Sequence, residues 1–171
     1  MTGLLQYPPA TYIYFTSGSR PPDTGSYMFS HHRQVEYAET DMAGIVHYSE
    51  FFRYMESAEH AFLRSLGLSV SMHVGERHIS WPRVSCAFDF RKPLRFEDEF
   101  EIRLAVEKIG GKSVTFRADI VRDEEEVATG RSTSVCCKME PGGEMAAVTI
   151  PDEIRNRLEE AMREGGGRSS G

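Results

Sequence analysis

Long apolar runs, basic stretches and paired cysteines are all missing from this sequence. No segment approaches the ~20 continuous apolar residues a bilayer-crossing helix needs. The apolar start MTGLLQYPPATYIYF is interrupted by Pro8 and Pro9 and lacks the basic region of a secretory signal. A soluble protein is expected. The three cysteines, Cys86, Cys136 and Cys137, are odd in number and show neither C-x-x-C nor Cys/His zinc spacing. That pattern offers no disulfide framework and no metal centre, and fits a reducing, cytoplasmic setting. Lys and Arg number 20 against 26 Asp and Glu, a formal net charge of -6, and no basic stripe forms. Such a chain has no long-range attraction for a phosphodiester backbone, so no nucleic-acid partner is expected.

What is present suits one globular domain: 171 residues, 40% hydrophobic and 27% charged. Residues 1–28 mix Pro, Gly, Ser and Thr with no useful periodicity and read as a poorly ordered extension. The last residues, GGGRSSG, read as a flexible tail over 165–171, which leaves a single domain over 29–164.

Within that domain the pattern alternates between two periods. HRQVEY, with Val35 and Tyr37, reads as a first strand. Phe51, Met55, Ala58, Phe62 and Leu66 then recur every three or four residues, with Glu50, Arg53, Ser57, His60 and Arg64 on the opposite side. The spacing predicts a long amphipathic helix with Ser49 as N-cap and Gly67 at C′. Period two follows in Val84, Cys86, Phe88 and Phe90, then in Phe100 to Val106, in Val114 to Ile120, and in one longer strand from Val127 to about Met139. KIGGKS and RDEEEV read as hairpin connections, and PDEIRNRLEEAM as a terminal helix. One helix covering one face of an antiparallel sheet is an α+β architecture. Its open strand edges call for a second copy, so a homo-oligomer is expected.

Asp41 lies in a small-residue loop, DMAGIVHYS, that runs into the helix. Free N–H groups at a helix start favour developing negative charge, and Gly44 allows close backbone approach to a ligand oxygen. A carboxylate beside such donors is a minimal acyl-transfer site, with Asp41 as nucleophile or as general base toward water. On residue type alone, Asp41 reads equally as a turn or cap residue.

The run VEYAETDMAGIVHYSEFFRYMESAEHAFLRSLGL resembles the signature of the hotdog-fold acyl-CoA thioesterases of the 4-hydroxybenzoyl-CoA thioesterase type. The resemblance continues through PRVSCAFDFRKPLRFEDEFEIRLAVEKIGGKSVTF and VATGRSTSVCCKM. It implies a hotdog fold, with a long central helix packed on a curved, mostly antiparallel five-stranded sheet. It also implies hydrolysis of an acyl-CoA to a free carboxylic acid and coenzyme A, with no cofactor beyond the coenzyme A of the substrate. Asp41 matches the catalytic carboxylate and is expected to be buried or half-buried. Tyr48 matches the residue whose backbone N–H polarises the thioester carbonyl, and Gly44 and His47 share that loop. Glu56 matches a helix carboxylate facing the acyl group, and Lys112 matches a basic residue near the coenzyme A phosphates. Trp81 falls at an acyl-site position that is small and polar in the hydroxybenzoyl enzyme, a departure that changes pocket depth and argues against the same substrate. The residues before Lys112 are basic in the hydroxybenzoyl enzyme but are Gly110 and Gly111 here, which opens Arg91, Lys92 or Arg95 as alternatives. The family places its sites at dimer interfaces, so a homodimer or homotetramer is implied. The competing readings are a hotdog hydratase or dehydratase, for which His60 and Glu56 are the one His–carboxylate pair on offer, a thioesterase acting on an acyl carrier protein, and a hotdog protein that binds acyl-CoA without cleaving it.

Because periodic sequence begins at Met28, the natural start of translation is expected there. N-terminal sequencing of the native protein checks this, and an intact Met1 or Thr2 end refutes it.

Overall fold

The computed structural model describes residues 29–140 and 142–166. The expected extension over 1–28 and residues 167–171 of the expected tail lie outside the described residues. The elements in chain order are β1 (Phe29–Gln34), a 3-10 turn (Tyr37–Glu39), α1 (Tyr48–Ser65), β2 (Ser71–Val74), β3 (Arg77–Ser80) and β4 (Arg83–Phe90). Then come β5 (Glu99–Ile109), β6 (Ser113–Arg122), β7 (Glu125–Val135), β8 (Cys137–Met139), β9 (Met145–Ala147) and α2 (Asp152–Gly166). One antiparallel sheet has five strands in the order β1-β5-β6-β7-β4, and a second has four in the order β2-β3-β8-β9.

Alternation along β5 and β6 puts Phe100, Ile102, Leu104 and Val106 beside Val114, Phe116, Ala118 and Ile120 on one buried face. Helix α1 lies on that face through Phe51, Met55, Ala58 and Phe62, the stripe its spacing predicts, joined by Tyr54. Ring contacts mark the seam: Tyr54 meets Phe100 at 4.8 Å and Phe62 meets Phe116 at 5.9 Å between centroids. Each such side chain contributes about 1.5–3 kcal/mol when taken out of water. Ile154 and Leu158 of α2 close the core at the other end of the domain.

Several local expectations need correction. The first strand lies earlier than HRQVEY and ends at Gln34. Val35 instead exchanges bonds with the turn before β5, its N–H donating to Asp98 O at 3.0 Å while its carbonyl accepts from Glu97 N at 3.1 Å. Tyr37 is 77% exposed. The N-cap of α1 is His47, and Ser49 sits inside the first turn. Gly67 does occupy C′, at φ +67°. Val84 leaves the inner face because the β4–β7 register shifts between Arg83 and Ser85, and it stands 62% exposed. The long final strand is two strands in different sheets. Cys136 separates them, its N–H donating to Lys112 O at 2.7 Å and its carbonyl accepting from Val148 N at 2.9 Å. The small second sheet has no counterpart in the sequence reading, because its strands are only three or four residues long.

The turn joining β6 to β7 uses Asp123 and Glu124, both at positive φ (51° and 60°), a backbone shape usually taken by Gly or Asn. Across the sheet from it, β7 approaches β4 closely at one point: Gly130 pairs with Phe88. A Cβ on Gly130 would come within 2.4 Å of the Phe88 ring, which itself packs on Phe51 and Phe52 at 6.0 and 5.2 Å between centroids. Gly130→Ala is therefore expected to destabilise by about 1–3 kcal/mol through overpacking. A thermal melt checks this, and a midpoint equal to that of wild type would mean the ring moves aside freely.

Candidate active site

The Asp41 loop is closed by its own backbone. Asp41 N donates to Ile45 O at 2.9 Å, Gly44 N donates to Asp41 O at 2.9 Å, and a bridge joins Thr40 to Val46. Gly44, at φ +72°, holds the left-handed turn this closure requires. The Asp41 carboxylate accepts from Ala43 N at 2.8 Å, an Asx turn that fixes one oxygen. Contrary to the expectation of burial, Asp41 is exposed in the single chain. The loop projects at the end of the sheet, where neighbouring Met42 is also fully exposed.

The loop passes directly into α1. His47 caps the helix: its Nδ1 lies 2.8 Å from Ser49 Oγ and accepts from Ser49 N at 3.4 Å. His47 therefore has a structural partner besides any contact with a ligand. Tyr48 is the first helical residue, so its N–H has no intrahelical acceptor and lies at the positive end of the helix. The residue is 63% exposed, and its ring meets the His47 ring in a tilted contact at 4.4 Å between centroids. An acyl oxygen meeting this N–H would be polarised within the same loop that carries Asp41.

Glu39 sets the position of the loop. Its carboxylate accepts from Tyr54 Oη at 2.7 Å, from Arg33 Nη2 at 2.9 Å and from Glu36 N at 2.8 Å. Its carbonyl accepts from His47 N at 2.9 Å. Burial and this hydrogen bond push the Tyr54 hydroxyl well above the ordinary tyrosine pKa, so it stays a donor.

Glu56 and Trp81 do not meet Asp41 in this chain. They line a cavity of about 270 Å³ further along α1. From Tyr48 to Glu56 is roughly 12 Å along the helix at 1.5 Å per residue. Beside them in the cavity wall is a group that sequence reasoning missed. Glu59, 4% exposed, accepts from Arg83 Nη2 at 2.6 Å and from Ser132 Oγ at 2.5 Å. Burial pushes the Glu59 carboxyl up, and the Arg83 charge and the Ser132 bond oppose that rise. His60, also in the wall, is pushed down by burial, so it favours the neutral form. A signal was available: Glu59 follows Met55 by four residues on the apolar side of the helix, and Ser132 is in phase with the inward Ala128 and Gly130. Two polar residues at core positions on packed elements are a pair to look for.

Lys112 is apart from the Asp41 loop, at the start of the strand that brings Val114 into the cavity wall. It follows β5 at the end away from Glu99, while the Asp41 loop bonds to Leu94 at the near end. A strand of that length spans roughly 35 Å. Lys112 Nζ donates to Ala147 O at 3.1 Å. Of the alternative basic residues, Arg91 pairs with Glu126 and Lys92 with Glu125. Arg95 lies beside the loop, its Nη1 donating to Gly44 O at 3.4 Å.

Three comparisons with known proteins bear on this arrangement. A family model described as the thioesterase-like superfamily matches residues 35–158. An Aquifex aeolicus protein, named only provisionally as an esterase, is 31% identical over 77% of this chain and 98% of its own length. A 1,4-dihydroxy-2-naphthoyl-CoA hydrolase from a Synechococcus strain is 29% identical over 57% of this chain and 69% of its own. Among solved structures, a gentisyl-coenzyme A thioesterase superposes with a TM-score of 0.65 at 26% identity, covering 75% of this chain and 98% of that one.

Removing one partner of the Glu59–Arg83 pair leaves a partly buried guanidinium uncompensated. Glu59→Leu is expected to lower stability by about 3 kcal/mol, and Glu59→Gln, which keeps a partner for Ser132, by clearly less. Chemical denaturation of the two variants checks the order; equal losses would mean that the hydrogen bond glutamine keeps with Ser132 contributes nothing.

Proposed function

Because the chain belongs to the thioesterase-like superfamily, we propose that the Asp41 loop performs its reaction, the hydrolysis of an acyl-CoA thioester to a free carboxylic acid and coenzyme A. The chain is a thioester hydrolase. The observation that carries the assignment is the continuity of carboxylate, glycine turn and helix start: Asp41, Gly44 and Tyr48 belong to one closed loop.

In this reading the thioester carbonyl oxygen accepts from Tyr48 N–H, where the helix end favours the charge that develops on it. Asp41 either attacks the carbonyl carbon, expelling the thiolate and leaving an anhydride that water opens, or takes a proton from the water that attacks. Both routes consume one water and release acid and thiol. Gly44 admits the substrate close to the backbone, and His47 holds the helix start. The acyl group enters the cavity lined by Glu56 and Trp81, and Lys112 or Arg95 meets the coenzyme A phosphates.

The separation of Lys112 from Asp41 in one chain supports sites completed by a second copy, in a homodimer or homotetramer. The outer edge of β4, with Val84 exposed, has no strand partner among the described residues, and such a copy would cover it. Exposed Tyr37, Met42, Tyr48 and Phe96 around the loop have the same need. The finer description of the fold, a long central helix on a curved five-stranded sheet, and the cytoplasmic location belong to this proposal. No helix among the described residues is long and apolar enough to cross a membrane.

Thiol release from short, medium, long and aryl acyl-CoAs tests the assignment. Asp41→Asn is expected to lower turnover by about 10²–10⁴-fold with the oligomer intact, since it removes charge and little volume. Unchanged turnover in that variant refutes the role of Asp41. No release from any substrate by folded wild type would favour a carrier-protein substrate or an acyl-CoA binder. Single turnover in ¹⁸O water separates the two routes, because only the anhydride delivers label to Asp41.

A further inference from the structure

The acyl cavity contains a donor that the chain itself leaves unused. Arg83 lines the cavity, and its Nη2 is committed to Glu59 at 2.6 Å. Its Nε–H is buried and has no acceptor among the described residues. A buried donor left unpaired is costly, so such groups normally have a partner. Position and charge point to the partner's chemistry. The Arg83 charge is already balanced by Glu59 within the wall. His60 favours its neutral form, and Glu56 adds a negative charge at the rim. A carboxylate on the ligand would be repelled by Glu56 and would find no free positive charge. An uncharged oxygen would take the Nε–H at no electrostatic cost.

We propose that Arg83, held in place by Glu59 and Ser132, presents its Nε–H to an uncharged oxygen on the acyl group, so that the enzyme selects acyl-CoA thioesters with a hydroxyl, carbonyl or ether in the acyl part over matched hydrocarbons. Arg83 is then a specificity-determining residue, distinct from the reacting groups at Asp41. The inference rests on the reading that this cavity receives the acyl group. A site built around an unpaired donor discriminates more strongly than an apolar pocket, because the hydrocarbon analogue leaves the donor unpaired while the oxygenated ligand satisfies it.

Binding tests this separately from hydrolysis. Matched pairs, octanoyl-CoA with 8-hydroxyoctanoyl-CoA and benzoyl-CoA with each hydroxybenzoyl-CoA isomer, are titrated into the full-length Asp41→Asn oligomer, with and without Arg83→Lys. Lysine keeps a positive charge beside Glu59 and removes the Nε–H. At least one oxygenated member is expected to bind about tenfold more tightly than its partner, and Arg83→Lys is expected to bring that ratio within about twofold of unity by weakening only the oxygenated member. No preference before the change, or a ratio that survives it, overturns the proposal. A ratio that survives while the oligomer dissociates overturns it too, and assigns the donor to a subunit contact. If Arg83→Lys fails to fold, the double change Arg83→Gln with Glu59→Gln removes both charges together and is read the same way. Thiol release by wild type is scored independently: release without oxygen preference refutes Arg83 alone, and preference without release refutes hydrolysis alone.

Discussion

One carboxylate, Glu39, joins the parts of the molecule that must stay in register for a reaction to occur. It binds Arg33 of β1, Tyr54 of α1 and the backbone of Glu36, while its carbonyl holds the N–H of His47. Strand, helix and the far side of the Asp41 loop are thereby tied within a single residue's reach. The charge is matched: Arg33 also lies over the Tyr54 ring at 5.0 Å, so cation, carboxylate and phenol form one packed group. Hydrogen bonds to a charged acceptor are the stronger kind, and this one accepts three. The loop beyond it then needs only its own backbone and Gly44 to hold its shape.

Helix α1 links the two ends of the proposed chemistry. Its first N–H groups face the Asp41 loop, and two turns later its side chains form a wall of the acyl cavity. Its rigidity comes from burial on the sheet, through Tyr54, Met55, Ala58 and Phe62, each 2% exposed or less. In the proposed reaction the same element would set where a carbonyl is polarised and how far away the acyl group ends. Glu59 lies on this buried side at a cost, since a carboxylate removed from water needs Arg83 and Ser132 to remain charged. Buried ion pairs of this kind often contribute less to stability than to arrangement, and here the arrangement fixes a guanidinium in a cavity wall.

The limits of one chain are equally informative. Asp41 is exposed, Lys112 stands at the opposite end of β5, and the outer β4 edge has no strand partner among the described residues. Each is a feature that a second copy of the chain would change. The proposed site has its carboxylate and its helix start in one loop, while the proposed second copy would supply its boundaries.

Much of the architecture was legible in the sequence because local periodicity and burial agree: the apolar stripe of α1, the alternation in β5 and β6, and Gly67 at the helix end reflect constraints carried by adjacent residues. The turn from Asp41 to Ile45 was legible for the same reason, as it closes through its own backbone, the Asp41 side chain and one glycine. The register shift that turns Val84 outward, the break at Cys136 and the second sheet were not legible. They arise from hydrogen bonds to distant partners, such as Lys112 O and Val148 N for Cys136. The pairing of Glu59, Arg83 and Ser132 was not legible: the phase of Glu59 and Ser132 puts each on an inward face, but the three are far apart in the chain and nothing local says that they meet. The sequence by itself determined the elements and the carboxylate loop, because those follow from neighbours along the chain. Only the tertiary structure decided which polar side chains are buried together, because that depends on which faces of α1, β4 and β7 come into contact.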